Sequence, residues 1–149
     1  MSTKPAGPDY SSLHVLIVED DGFMRKLEER VVREMRVGTV SVAVDGQEGL
    51  EILRTARPPV DFVICDLLMP KMNGLELIHA VRHGGAVADR DIPILIVTTQ
   101  AEEEIVRGAA AIGADGYLVK PISRSALESR LAATLARRKA SGGDPQART

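Results

Sequence analysis

Two kinds of hydrophobic pattern alternate along the middle of the chain. Short continuous runs of apolar and β-branched residues are typical of strands that are buried on both faces of a sheet. Between these runs, apolar residues recur every three or four positions, which is the spacing of one face of a helix. The runs that predict strands are residues 13–18, 39–44, 60–65, 92–97 and 116–119.

Helix-capping residues support the helices that this spacing predicts. Asn73 can cap the third helix, and Gly113 stands where the fourth helix should stop. Two caps are open for the fifth helix: Ser123, or Ser125 with capping-box spacing to Glu128. The apolar positions that define the first and last helices are Met24, Leu27, Val31 and Met35, then Leu127, Leu131 and Leu135.

The repeated alternation of strand and helix predicts an α/β fold. We expect a doubly wound, parallel, five-stranded (βα)5 sheet with helices on both faces and right-handed crossovers. Among doubly wound orders we predict the flavodoxin-like order 2-1-3-4-5. The polar flanking segments, residues 1–12 and 139–149, are predicted to be disordered, which leaves residues 13–138 as one domain.

Composition narrows the class of protein. With 149 residues, of which 44% are hydrophobic and 27% charged, the chain matches one soluble globular domain. A net charge of -2 gives no large basic field, which argues against a nucleic-acid partner, and no apolar run is long enough to span a membrane. Cys65 is the only cysteine, so an internal disulfide is excluded and a reducing, cytoplasmic location is expected.

Chemically active side chains follow the predicted strands at their carboxyl ends. Glu19 and Asp20 follow the first strand, Asp66 the third, Thr98 the fourth and Lys120 the fifth. In an open α/β sheet, ligands bind beyond these ends at the switch point, here between strands 1 and 3. The sequence therefore predicts one site that gathers carboxylates, a hydroxyl and an ammonium group.

This combination of groups suits phosphoryl transfer. Clustered carboxylates repel one another unless a cation neutralises them, and Mg²⁺ prefers such oxygen ligands together with phosphoryl oxygens. Lys120 and Thr98 can each bond a phosphoryl oxygen, and charge neutralisation of this kind does most of the catalytic work. Because a carboxylate can accept a phosphoryl group as an acyl phosphate, Asp66 is the candidate nucleophile.

At these positions the sequence resembles the receiver domains of two-component response regulators, of the CheY type. The resemblance runs from about residue 13 to residue 138. Its motifs are Val-Glu-Asp-Asp at 18–21, Asp-Leu-Leu-Met-Pro-Lys-Met-Asn-Gly at 66–74, Val-Thr at 97–98 and Tyr-Leu-Val-Lys-Pro at 117–121. Together, in this order and at the strand ends, they are highly specific.

The resemblance implies a role for each matching residue. Asp20 would touch the metal directly, Glu19 would act through water, and the backbone carbonyl of Leu68 would supply a further ligand. The bond between Lys120 and Pro121 would be cis. The implied metal ligands are Glu19, Asp20, Asp66 and Leu68; the catalytic residues are Asp66, Lys120 and Thr98; the switch residues are Thr98 and Tyr117.

The function implied by the resemblance is that of a single-domain response regulator. It would accept a phosphoryl group on Asp66 from a histidine kinase or phosphotransfer protein, with Mg²⁺ as cofactor. It would catalyse its own phosphotransfer and dephosphorylation without being a conventional enzyme. Its output would be altered binding of a downstream protein through the face of helix 4 (residues 102–112), strand 5 and helix 5. It would be a monomer or a phosphorylation-dependent dimer, with no membrane or nucleic-acid partner.

Three residues depart from the commonest pattern of the family. Asn73 replaces a frequent aspartate, but both residues cap helices. Leu68 and Gln100 stand at positions whose side chains influence the attacking water. An apolar Leu68 cannot orient water, which favours slow self-hydrolysis of the phosphorylated form.

Four alternatives stay open at this point. The first is a shuttle role in a phosphorelay. A flavodoxin-type FMN binder would need a hydroxyl- and glycine-rich loop where Glu19, Asp20 and Asp21 stand. A small-molecule phosphatase with an aspartate nucleophile would usually carry a second aspartate at Leu68. The fourth is a scaffold that keeps the receiver fold without its chemistry.

Overall fold

Strands and helices alternate along the chain in this computed structural model, which describes residues 8–99 and 103–140. The five described strands are β1 (His14–Val18), β2 (Thr39–Ala43), β3 (Phe62–Asp66), β4 (Ile94–Thr98) and β5 (Gly116–Val119). The five described helices are α1 (Gly22–Glu34), α2 (Gly46–Thr55), α3 (Gly74–His83), α4 (Glu103–Ala111) and α5 (Arg124–Ala140).

All neighbouring strands in the sheet are parallel, and their order is β2-β1-β3-β4-β5. The predicted fold class and strand order are therefore confirmed. The third and fourth strands begin two residues later than predicted, at Phe62 and Ile94. At the fourth strand the reason is Pro93, which has no N–H to donate and contributes only its carbonyl, to the amide of Val63.

The sheet buries both of its faces, as the continuous apolar runs indicated. On one face, Val63 and Ile96 belong to the core that includes Leu77 of α3. On the other face, Ile17 and Ile64 belong to the core that includes Leu131 of α5. Alternate residues of each strand serve opposite cores because successive side chains of a strand point to opposite faces.

Tyr10 departs from the expectation for the N-terminal segment. Its side chain is 5% exposed and packs in the same core as Val32 and Leu131, which belong to α1 and α5. Its carbonyl accepts hydrogen bonds from the amides of Leu13 and Gly38. Burial of an aromatic ring offsets the entropy of ordering this stretch of chain. Residues 1–7 and 141–149, also predicted to be disordered, lie outside the described residues.

The predicted helix boundaries have clear caps. The side chain of Asn73 accepts from the amide of Glu76, whose carboxylate accepts in return from the amide of Asn73, a complete capping box. For α5 the cap is Ser123, whose hydroxyl accepts from the amide of Ala126. Gly113 follows the end of α4 with a φ of 109°, a conformation that favours glycine.

A largely buried arginine, Arg82, bridges several segments at the opposite, amino-terminal edge of the sheet. The guanidinium of Arg82 donates to the carbonyls of Gly113, Arg90 and Ile92, at distances down to 2.6 Å. It also pairs with Asp115 at 3.1 Å. These bonds join α3 to the segments that precede β4 and β5, far from the strand ends where the predicted site lies.

The described helices contain no stretch that is both long and apolar enough to cross a membrane.

Candidate functional site

The predicted acidic residues meet at the carboxyl edge of the sheet. Glu19 and Asp20 directly follow β1, and Asp66 is the last residue of the adjacent strand β3. One oxygen atom from each of these three carboxylates lies within 4.8 Å of the other two. Glu19 and Asp66 are buried, whereas Asp20 is exposed. The cluster therefore opens to solvent on the side of Asp20.

The turn after β1 is held in place by its own backbone. The amide of Glu19 donates to the carbonyl of Ala43 at 3.0 Å, so β1 stays paired up to the cluster. Asp21 caps α1 by accepting from the amide of Met24. The guanidinium of Arg25, one turn into α1, donates to the carbonyl of Glu19 at 2.9 Å. The carboxylates thus lie on a turn that α1 braces from behind.

Lys120 supplies the positive charge at the cluster. Its Nζ lies 2.5 Å from Oε1 of Glu19 and 3.1 Å from Oδ1 of Asp66. Lys120 directly follows β5, and its backbone amide donates to the carbonyl of Thr98 at the end of β4, which positions the lysine at this edge of the sheet. The bond between Lys120 and Pro121 is cis, as predicted from the resemblance.

Protonation of the cluster reflects this packing. Burial, together with hydrogen bonding and charge from Glu19, raises the pKa of Asp66 to about 7, against the opposing effect of Lys120. Burial also acts to raise the pKa of Glu19, but the hydrogen bond from Lys120 and the amide of Asp21 outweigh it, and that pKa is lowered. Burial acts to lower the pKa of Lys120, but its two carboxylate partners outweigh it and the pKa is raised. Lys120 is therefore charged, and near neutral pH a proton competes with a metal ion for the carboxyl group of Asp66.

Glu28 is a further acidic residue of the site that the sequence analysis missed. It lies on α1, is 1% exposed, and interacts with Glu19 through charge and hydrogen bonding. Burial is the largest cause that raises its pKa to about 8. A signal was present: Glu28 follows Met24 by four residues and precedes Val31 by three, so it lies on the apolar face of the predicted helix.

The predicted switch residues lie on β4, which pairs with the strand of Asp66, and on β5, which pairs with β4 on the other side. Thr98 is buried at the end of β4, in register with Val119 of β5. Tyr117 is half-buried on β5, and the guanidinium carbon of Arg130 lies 5.9 Å from the centre of its ring. Neither placement tests the predicted motion, so the switch roles of Thr98 and Tyr117 stay predictions.

Leu68 and Cys65, which lie on either side of Asp66 in the chain, differ in exposure. Leu68 is 66% exposed and follows Asp66 by two residues. The metal-binding role of its backbone carbonyl stays a prediction. Cys65 is buried, and burial strongly raises the pKa of its thiol, which keeps it protonated and unreactive. The predictions also named Gln100 for hydrolysis and Glu102 for the docking face. Both residues lie outside the described part of the chain.

The donor set fits Mg²⁺. Three carboxylates offer oxygen atoms to one point, and one of them is exposed, which leaves room for water ligands. A hard divalent ion with a few protein oxygens and several waters suits this arrangement. Burial, and after it the neighbouring Glu19, raises the pKa of Asp66, and a bound cation would oppose this shift. The fold and the cluster together define a receiver-type α/β domain.

Comparison with known proteins gives the same result. Residues 15–132 match the family model of the response regulator receiver domain, and the chain belongs to this family. The chemotaxis protein CheY of Treponema pallidum is 32% identical over 133 residues, which cover 88% of this chain and 90% of that protein.

Solved structures show the same likeness. The structure of CheY4 from Vibrio cholerae is 34% identical in sequence and matches with a TM-score of 0.68. The match covers 84% of this chain and 97% of the CheY4 chain. In the crystal structure of a CheX–CheY–BeF3–Mg²⁺ complex from Borrelia burgdorferi, the matching chain has 24% identity and a TM-score of 0.75; the match covers 83% of this chain and 89% of that one. The second likeness concerns the fold alone.

Proposed function

We propose that this protein is a phosphorylation switch whose acceptor is Asp66 and whose cofactor is Mg²⁺. The observation that carries the proposal is the meeting of Glu19, Asp20 and Asp66 within 4.8 Å, with Lys120 bonded to two of them. These groups are the ones that hold a divalent cation and neutralise a phosphoryl group. The phosphoryl donor would be the phosphohistidine of a histidine kinase or of a phosphotransfer protein.

In the transfer step, a carboxylate oxygen of Asp66 attacks phosphorus in line with the bond to the donor imidazole. The new O–P bond forms as the P–N bond breaks, and the imidazole leaves with the electron pair and takes a proton from solvent. Lys120 exchanges part of its contact with Asp66 for a contact with a phosphoryl oxygen. The hydroxyl of Thr98, at the neighbouring strand end, donates to another.

When bound, Mg²⁺ neutralises the charge that gathers on the phosphoryl oxygens. Asp20 and Asp66 would hold it directly, with the backbone carbonyl of Leu68 as a further ligand. Glu19 would act through water, because its Oε1 is engaged with Lys120. In this arrangement the protein promotes its own phosphorylation and dephosphorylation, and it turns over no separate substrate.

The phosphoryl group adds negative charge and acceptor oxygens beside the end of β4. Thr98 moves toward it, and the space released lets Tyr117 turn inward. Tyr117 lies on β5, which follows α4 and precedes α5 in the chain, so its movement repacks the α4–β5–α5 face. Phosphorylation thereby shifts the equilibrium between two existing states of that face. A downstream protein would bind one of them. The proposal places this exchange in the cytoplasm.

The exposed, apolar Leu68 supports a long-lived phosphorylated form. It lies beside the acceptor and offers no group that could orient an attacking water. A long lifetime suits delivery to a target as well as a shuttle role in a phosphorelay. An FMN-binding role has less support, because three carboxylates at the switch point would repel the flavin phosphate.

Labelling with acetyl phosphate tests the proposal. Wild-type protein should gain one phosphoryl group only when Mg²⁺ is present, as a hydroxylamine-sensitive acyl phosphate detected by intact mass. Asp66→Asn should gain none. Asp45→Asn is the matched control, because Asp45 is a buried carboxylate that follows β2 and caps α2, and asparagine keeps that cap. Full labelling of Asp66→Asn would overturn the assignment.

A further inference from the structure

Two of the three histidines of the chain lie side by side on the exposed surface of α3. The rings of His79 and His83 have their centres 5.0 Å apart, with an angle of 46° between the ring planes. Neither ring makes a hydrogen bond to a described residue. The third histidine, His14, is buried, and its ring nitrogens bond to the carbonyl of Pro58 and the hydroxyl of Ser41. Only the pair on α3 therefore keeps its ring nitrogens available to a ligand from solvent.

The separation of the two rings fits a shared metal ion. Residues four apart lie on one face of a helix, and two histidines at this spacing supply two ligands in helical zinc motifs. A Zn–N bond of about 2.0–2.1 Å places the ion about 3.2 Å from each ring centre, so the two centres lie about 4.5 Å apart at an octahedral angle and about 5.2 Å apart at a tetrahedral angle. The observed 5.0 Å lies within this range. Small rotations of two exposed side chains would complete the chelate.

The charges around the pair favour a cation. His83 is the last residue of α3, where the helix dipole presents partial negative charge. Glu76, one turn before His79, is exposed and adds a carboxylate to the same side of the helix. The guanidinium of Arg82 is engaged elsewhere, because it pairs with Asp115 at 3.1 Å and donates to backbone carbonyls. Its positive charge is thus offset by a carboxylate.

We propose that His79 and His83 form a second metal site, which binds a divalent transition ion such as Zn²⁺, Ni²⁺ or Cu²⁺ and is separate from the acidic cluster. Imidazole nitrogen suits these ions, whereas Mg²⁺ prefers the oxygen ligands of the cluster. Water would fill the remaining coordination positions. Since α3 begins beside the acceptor at Gly74 and ends at His83, about 14 Å of helix separates the two sites.

Loss of either ring should remove the chelate. Two ligands held on one scaffold bind an ion more tightly than either does alone, so His79→Asn and His83→Asn should each weaken binding by about 100-fold. Both positions are exposed, so asparagine should leave the fold intact. Glu51→Gln, an exposed substitution on α2, is the control and should bind the ion as wild type does.

Isothermal titration of the full chain with Zn²⁺ and with Ni²⁺, in saturating Mg²⁺ to occupy the acidic cluster, measures these affinities. In NMR spectra, Zn²⁺ should shift the ring-proton resonances of His79 and His83 together and leave those of His14 in place. An affinity within about threefold of wild type in either histidine variant would overturn the proposal, because one ring would then suffice or the ion would lie elsewhere. Absence of binding up to about 1 mM of either ion would overturn it as well.

Discussion

The ammonium of Lys120 lies 3.1 Å from the carboxylate of Asp66, which joins the loop after β5 to the end of β3. The same ammonium contacts Glu19, so a single cation serves two buried carboxylates. Loss of one member of such a group leaves the other charges buried and uncompensated. Lys120 therefore links the stability of this edge of the sheet to its chemistry.

Replacement of Lys120 by methionine should lower both the rate of phosphoryl labelling and the stability of the protein. Because the phosphoryl group loses its main cationic partner, labelling by acetyl phosphate should fall by about 100-fold. Because Glu19 and Asp66 are left facing each other, the free energy of unfolding in metal-free buffer should fall by about 1–3 kcal/mol. Urea denaturation and intact mass measure the two effects. Lys26→Met, on the exposed side of α1, is the control. Labelling at the wild-type rate would refute the role of Lys120.

The affinity for Mg²⁺ should rise with pH. Asp66 has a pKa of about 7, so Mg²⁺ competes with a proton below that value. Affinity should gain up to about tenfold per pH unit below about pH 7 and level off above it. Calorimetric titrations at several pH values measure this slope. An affinity that is flat between about pH 5.5 and about pH 7 would contradict the raised pKa.

The same shift predicts how stability depends on pH without metal. The folded-state pKa of Asp66 is raised above its ordinary value of 3.8, so the folded protein binds the proton more tightly than the unfolded chain does. The resulting stability is fully present below about pH 4 and is lost as pH rises through about 7. The melting temperature in EDTA should therefore fall between about pH 6 and about pH 8, and less so in Asp66→Asn. A melting temperature that rises over this range would contradict the assignment.

Alanine at two glycines should have opposite effects. A Cβ atom at Gly74 would lie 2.5 Å from the carbonyl oxygen of Asp66, which is backbone and cannot move aside. Gly74→Ala should cost about 1–3 kcal/mol and slow labelling, because it displaces the acceptor. At Gly108 in α4, a Cβ atom meets nothing within 4 Å, so Gly108→Ala should add about 0.5–1 kcal/mol. Urea denaturation measures both; equal effects would contradict the close approach at Gly74.

The arginine at the opposite edge of the sheet should matter far more than a surface arginine. Arg82→Ala removes the side-chain donor to three carbonyls and the ion-pair partner of Asp115, and it should cost about 2–4 kcal/mol. Arg54→Ala breaks only an exposed pair with Glu51 and should cost less than about 0.5 kcal/mol. Urea denaturation compares the two variants. Labelling of Arg82→Ala, measured where it stays folded, should match wild type, because Arg82 lies away from the acidic cluster.

The sequence was sufficient to predict the sheet and most of the site, because both follow from local patterns. Apolar runs identified the strands, and the switch-point rule then brought Glu19 and Asp66 together without knowledge of any side-chain contact. Asn73 was predictable as a cap because its partner is three residues away. These features need only short-range sequence and topology.

The features that the sequence analysis missed depend on contacts between distant segments. Periodicity placed Leu27 and Val31 at the centre of the buried face of α1, but they are half-buried and the centre is at Glu28 and Val32. The sequence analysis assigned no role to Glu28, since only the packing of α1 makes it part of the cluster. The bonds of Arg82 to Gly113, 31 residues away, likewise leave no local signal.

The scarcity of aromatic residues gives this protein two built-in reporters. The chain has no tryptophan and only two tyrosines. Tyr10 is buried in the core with residues of α1 and α5, whereas Tyr117 lies on β5 near Arg130. Fluorotyrosine incorporation would therefore yield a ¹⁹F NMR spectrum with two resonances, one sensitive to global unfolding and one to the surface around β5. Intact folding and a change of state could then be followed separately in a single spectrum.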